Sequence, residues 1–250
     1  MENACEVVAQ RNYFGAMMIQ YGHADGLVGG NQSLPMAVFR PLLQLVKPMP
    51  GIPRAFAVGI LQGEELPHFG STGVLYLADC GMVPKPTIEE LAAIAVDTGR
   101  LARLQLGRRP RVALLSHSTK GSSSEPEAEL VRAAAELARQ RAGANEIEID
   151  GELQADVALV PEAAEIKLPN ASRKQAADVL VFPNLDAAHI ALKLLQHVAG
   201  ARVIGPLIRG LGRPAAQVPR SVSSRRLLGT ALAVAVEAVK YHELYPDGEV

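Results

Sequence analysis

Asp178-Val-Leu-Val-Phe-Pro183 is a short apolar run rich in β-formers, and it reads as a buried parallel strand. Asn184, Leu185 and Asp186 turn the chain. Ala187, Ile190, Ala191, Leu194, Leu195 and Val198 then recur at the spacing of one helix face, which predicts an amphipathic helix packed through that stripe. Gly200 ends it, residues 201–204 start a second strand, and Gly205-Pro206 breaks that strand. A strand–helix–strand unit of this kind requires a right-handed crossover and a sheet with helices on its faces.

The remaining chain alternates in the same way. Residues 7–21 read as one helix with Phe14, Met17, Met18 and Tyr21 turned to the core. Arg40-Pro41 belongs to a helix reaching about residue 47, and 54–61 and 74–79 read as strands. Thr87-x-x-Glu90 is a capping box for a helix to about residue 106, and 111–116 is a strand. Ser124-x-x-Glu127, with Pro126 in the first turn, opens a helix that Gly143 ends. Residues 146–150 and 155–160 carry weaker strand or short-helix signals. After Pro206 an Arg/Gly/Pro loop runs to about residue 222, followed by a last helix over 225–241. Alternation of this sort means α/β with a mostly parallel sheet. Pro48-Met-Pro-Gly-Ile-Pro53 stops helix and strand alike and is the expected hinge. It divides a first domain, 1–47 plus 204–250, from a second, 48–203.

Composition removes several function classes. Aromatics are 4% of the 250 residues and Trp is absent, which leaves few stacking platforms for nucleic acid. Cys5 and Cys80 are too few for a disulfide framework, and a reducing compartment is expected. No apolar run reaches the roughly 18 residues of a membrane span. The segment after Met1 lacks the basic start of a secretory signal. A cytoplasmic protein, with neither membrane nor nucleic acid as partner, is the expectation.

Charge is uneven along the chain. Between Ala187 and Val236 there is no Asp or Glu, yet Lys193, Arg202, Arg209, Arg213, Arg220, Arg225 and Arg226 all fall there, in a chain of net charge −1. Such an excess attracts an anion. Arg225 and Arg226 follow the N-cap candidates Ser223-Ser224, so they oppose the dipole of the helix they open. A bound phosphate would reverse that penalty. Ser116-His-Ser-Thr-Lys-Gly-Ser122 is the densest polar cluster, and Ser116, Ser118, Thr119 and Lys120 suit phosphate binding. The glycine spacing and flanks exclude a Walker loop. Gly29-Gly30, leading to Ser33 and Arg40, is a second candidate ligand loop, where glycines admit a close backbone approach. His and Cys spacing supports no metal site, and no dinucleotide fingerprint is present. Asp150, Glu152 and Asp156 form a small acidic group that reads as surface.

Val181-Phe-Pro-Asn-Leu185, Lys193-Leu-Leu-Gln196, Ile204-Gly-Pro206 and Gly210-Leu211 together resemble the C-terminal half of the phosphate acetyl/butyryl-transferase family. The 116–122 loop resembles that family's Ser-rich loop, and Gly151-Glu-Leu-Gln-Ala-Asp156 its following motif. The resemblance implies a three-layer αβα fold in two subdomains with a cleft between them, as in isocitrate and isopropylmalate dehydrogenases. It also implies transfer of an acetyl or butyryl group from CoA to phosphate, no resident cofactor beyond CoA or acyl-CoA as substrate or ligand, and a homodimer. On this resemblance the chain begins partway through the family's first domain.

The family's catalytic positions carry over unevenly. Its Ser-Arg pair falls on Pro219-Arg220, its aspartate on Arg226 and its crossover arginine on His197. In the ligand loop, its Thr and Asp fall on Leu34 or Pro35 and on Ala37, while Arg40-Pro41 is kept. Arg220 and His197 are therefore the catalytic candidates, with Gly29, Gly30, Ser33, Arg40, Ser116, Ser118, Thr119, Lys120, Arg225 and Arg226 as binding candidates. Arg11-Asn12, Pro84–Ala95 and Glu148–Leu159 also resemble the family's relatives fused behind malic enzymes, which sense acetyl-CoA. That second resemblance implies the alternative, a non-catalytic regulatory module with a malic-enzyme partner.

Overall fold

A computed structural model describes residues 2–63, 70, 72–143, 145–168 and 175–241. In chain order the elements are α1 (Glu2–Val8), α2 (Arg11–Gln20), β1 (Leu27–Gly29), α3 (Pro35–Leu45), β2 (Phe56–Gln62), β3 (Val74–Ala78), α4 (Ile88–Leu106) and β4 (Arg111–Leu115). They continue with α5 (Pro126–Arg141), β5 (Glu148–Leu153), α6 (Ala155–Leu159), α7 (Pro161–Lys167), β6 (Val179–Val181), α8 (Leu185–His197), β7 (Arg202–Arg209), β8 (Ala215–Gln217) and α9 (Ser224–Val239). The class is mixed α/β. Two compact units form: Met1–Ala57 with Ile204–Val250, and Val58–Val203. Of the first, residues 1 and 242–250 lie outside the described residues.

In the second unit the strand order is β2-β3-β6-β4-β5. β3, β6, β4 and β5 pair in parallel, and only β2 against β3 is antiparallel. Leu75, Leu77, Val112, Leu114, Val179 and Val181 are buried, as expected of strands covered on both faces. α4 shows how local sequence sets an element. Thr87 Oγ1 accepts from Glu90 N–H at 3.2 Å and Glu90 Oε2 accepts from Thr87 N–H at 2.9 Å, a reciprocal capping box. Gly107, in the left-handed region at φ 67°, closes the other end by donating to Arg103 O.

In the first unit β1 runs parallel to β8, and β7 runs antiparallel to β8. α9 packs on both β1 and β8. The 48–53 segment lies within this unit: Met49 N–H donates to Gly210 O at 2.9 Å and Pro48 bridges Leu211.

Several elements differ from expectation. Residues 7–21 are not one helix; Gln10 is extended at the N-cap position of α2 without a side-chain capping bond, a break that no glycine or proline marks. On α2 the buried residues are Ala16 and Ile19, while Phe14 and Tyr21 are exposed. α8 carries apolar residues on two faces, and the expected stripe is not the one that packs. Ala188 and Leu192 are buried, with Leu192 against Gly59, whereas Ile190, Leu194 and Val198 face outward. β7 continues through Gly205-Pro206, and β8 replaces part of the expected loop. Gly205 N–H donates to Thr230 Oγ1 at 3.0 Å and Pro206 has no N–H, so two successive residues need no ladder acceptor.

The capping box gives a direct test of how far local sequence sets α4. Thr87→Ala should lower unfolding free energy by about 1 kcal/mol, read as a fall in urea midpoint at unchanged slope.

Candidate functional site

The 116–122 loop leaves the carboxyl end of β4 beside that of β5, with Ser116 N–H donating to Leu153 O at 2.8 Å. The loop is built around Glu152, which is fully buried rather than at the surface. Its Oε1 accepts from Ser118 Oγ at 2.9 Å and from Gly121 N–H at 2.7 Å. Arg132, reaching over from α5, donates to both carboxylate oxygens at 3.1 Å. Burial alone would raise this carboxyl, but the bonds from Arg132, Gly121 and Ser118 outweigh it and hold the group at about 2, against an ordinary value of 4.5.

Ser118, Thr119 and Lys120, three of the expected phosphate donors of this loop, donate within the chain instead. Ser118 is buried, and Thr119 Oγ1 donates to Gln154 Oε1 at 3.2 Å. Ser116 Oγ accepts from Ser118 N–H at 3.1 Å. Lys120, held in the left-handed region at φ 47°, donates through its ammonium to Asp150 and to Gly151 O. His117 is exposed, with Nε2 at 3.2 Å from Ser123 Oγ. Sequence patterning read Glu152 as surface and missed Arg132. Alternation along β5 puts Glu152 on the face of Glu148 and Asp150, opposite the buried Ile149 and Leu153, so the local pattern pointed it outward and gave no signal of its burial. Asp79, just beyond β3, was missed too; its carboxylate accepts the N–H groups of Gly81, Met82 and Val83.

The first unit places a different constellation at the carboxyl ends of β1 and β8. Gly29 pairs with Gln217 in register and Gly29 O accepts from Val218 N–H at 2.8 Å, so the two ends lie side by side. From β1 the chain passes through Gly30 and Ser33, whose N–H donates to Gly30 O, into α3. From β8 it passes through Pro219 and Arg220 to Ser223, whose Oγ caps α9 by accepting Arg226 N–H at 3.3 Å. Two helices thus begin just beyond the carboxyl ends of adjacent parallel strands, the usual position of ligand sites in α/β proteins. Gly30 serves internal packing: at φ 116°, a Cβ there would stand 2.2 Å from Val218 O.

Charge at this end is one-sided. Residues 27–40 and 215–226 contain no Asp or Glu, and the first turn of α9 holds no acid. Arg220 and Arg225 are exposed, as is Arg40 on α3. Arg226 is half-buried and donates through Nη2 to Gly205 O at 3.0 Å. Other members of the basic stretch are occupied elsewhere. Arg209 is buried in an ion pair with Glu237, and Arg213 lies over the Tyr241 ring at 5.9 Å. His197, in the second unit, is the exposed last residue of α8, where a cation suits the helix dipole. Among the described residues no group of three His, Cys, Asp or Glu is placed to hold a metal, and no helix is long and apolar enough to cross a membrane.

Residues 1–235 match the family described as Phosphate acetyl/butaryl transferase. The chain belongs to that family. It is similar to the phosphate acetyltransferase of Thermoanaerobacterium thermosaccharolyticum, 42% identical over 240 residues that cover 95% of this chain and 72% of that protein. The corresponding protein of Acetivibrio thermocellus is 38% identical, with 95% and 71% covered. Among solved structures, a phosphotransacetylase from Streptococcus pyogenes superposes with a TM-score of 0.86 at 36% identity, over 96% of this chain and 70% of that one. A branched-chain phosphotransacylase from Enterococcus faecalis shares the fold at a TM-score of 0.74 and 21% identity, with 91% of this chain and 78% of that one covered.

The Glu152 network makes acid stability measurable in this member of the phosphate acetyl/butaryl transferase family. A depressed folded value means stability that is fully present above about pH 4.5 and is lost as pH falls toward about 2. The total at stake is roughly 3 kcal/mol. Urea unfolding across that window should show a shallower loss for Glu152→Gln than for wild type. Equal slopes would mean that Glu152 does not carry the effect.

Proposed function

We propose that this chain acts on acyl-CoA and phosphate at the carboxyl ends of β1 and β8, moving an acetyl or butyryl group between them. The observation that carries the reading is the one-sided charge there. Arg220 and Arg225 stand exposed where two helices begin, and the flanking segments supply no carboxylate to neutralise them. Helix starts and guanidinium groups together favour phosphate, and an arginine fork can hold two phosphate oxygens at once.

In the reaction a phosphate oxygen attacks the thioester carbonyl. The carbon–sulfur bond breaks, and the thiolate of CoA leaves and takes up a proton. Arg220 holds the attacking phosphate, and Arg225 offsets its charge. Arg40 adds a third cation on α3. His197 ends α8 in the second unit and takes no part, and the 116–122 loop serves to hold Glu152.

A second reading, an acyl-CoA-binding regulatory module, is favoured by one specific feature. Pro219 offers neither hydroxyl nor N–H beside Arg220, and Arg226 holds a backbone carbonyl with its guanidinium. Lacking an oxyanion donor or a proton acceptor commonly lowers rate by about 10²–10⁴-fold, without removing binding.

One preparation separates the two. Wild type should form acetyl-CoA from acetyl phosphate and CoA, and Arg220→Ala should lower that rate by ~10²-fold or more while CoA still raises the melting temperature. Binding of CoA without phosphate-dependent thioester formation would select the regulatory module. Undiminished turnover in Arg220→Ala would overturn the site.

A further inference from the structure

Gly205 lies buried in β7, and α9 satisfies both of its backbone polar groups. Its N–H donates to Thr230 Oγ1 at 3.0 Å, and its C=O accepts from Arg226 Nη2 at 3.0 Å. Thr230 is itself fully buried, and its hydroxyl donates onward to Arg226 O at 2.9 Å. Arg226 is therefore engaged at three points. Its N–H is capped by Ser223, its C=O accepts from the Thr230 hydroxyl, and its guanidinium donates to Gly205 O. Gly229 sits beside Ile204, so helix and strand approach closely at the same level. A buried amide or carbonyl left unmet is costly, which makes this contact a strong constraint on where α9 begins.

Taken with the anion site proposed above, on which it rests, we infer that Arg226 is a positioning residue rather than an anion ligand. With Thr230 it latches the first turn of α9 to Gly205, and the latch sets where Arg225 and Arg220 present their charge. Arg225 is the residue immediately before the latch, and the turn carrying Arg220 leads into the same N-cap. A rotation of the helix about its axis moves Arg225 first. Thr230 carries no charge and lies one turn along the helix, so it affects anion binding only through the latch.

Inorganic phosphate is the probe, titrated calorimetrically into wild type, Thr230→Val, Arg226→Met and the double variant. Amide hydrogen exchange is read on each without ligand. Thr230→Val and Arg226→Met should each weaken phosphate by roughly tenfold, the worth of about one hydrogen bond, and the double variant should be little worse than either. Protection at Gly205 and over 226–228 should fall in both, and Thr230→Ser should restore both readouts. Phosphate affinity unchanged in Thr230→Val but lost in Arg226→Met would make Arg226 a direct ligand and overturn the inference. Unchanged protection at Gly205 in both variants would overturn it as well, whatever phosphate does. If wild type takes no phosphate while both variants lose protection, the functional reading fails and the latch stands.

Discussion

Backbone amides and cations gather at the turns beyond the carboxyl ends of several parallel strands, and an anion is their natural partner. The second unit supplies its own. Asp79 takes three turn N–H groups after β3, and Glu152 takes Gly121, Ser118 and Arg132 beside β4 and β5. These carboxylates hold the turns and balance the basic side chains that reach them. Buried charge is tolerated because every oxygen has donors.

The first unit meets the same constraint differently. Segments 27–40 and 215–226 contribute cations and helix starts but no carboxylate, and in the function proposed above a bound anion supplies the counter-charge. This contrast between a self-neutralised end and an open one places the functional reading in the first unit. It also separates two groups that look alike in sequence. Lys120 and Arg226 are both fixed by internal bonds, whereas Arg220 and Arg225 stand exposed beside the turns that need charge.

Much of the fold was legible in the sequence because its signals are local. The Thr87 box, the Gly107 cap and the apolar runs at 74–78, 111–115 and 179–181 each announce an element through nearby residues alone. What failed depended on distant partners. α8 carries apolar residues on two faces, and the one that packs sets Leu192 against Gly59, a partner far along the chain. Pro206 reads as a strand breaker until Thr230, on another element, meets the preceding amide. At the candidate site, sequence marked Arg220, Arg225 and the 116–122 loop as chemically dense. It could not tell a loop that holds its own carboxylate from one awaiting a ligand, since Glu152 and Arg132 lie far along the chain from Ser118. The family resemblance was carried by several motifs in order, and the match over residues 1–235 agrees with it.

The central claim is that the open anion site lies in the first unit, at the start of α9, and not in the Ser-rich loop. A crystal structure of the protein grown with CoA and inorganic phosphate tests this most directly. The account predicts phosphate oxygens within hydrogen-bond distance of Arg220, beside Arg225 and the Ser223 cap, with the Glu152 network unchanged. Phosphate seated among Ser116, Ser118 and Lys120, with Arg132 drawn away from Glu152, would contradict it.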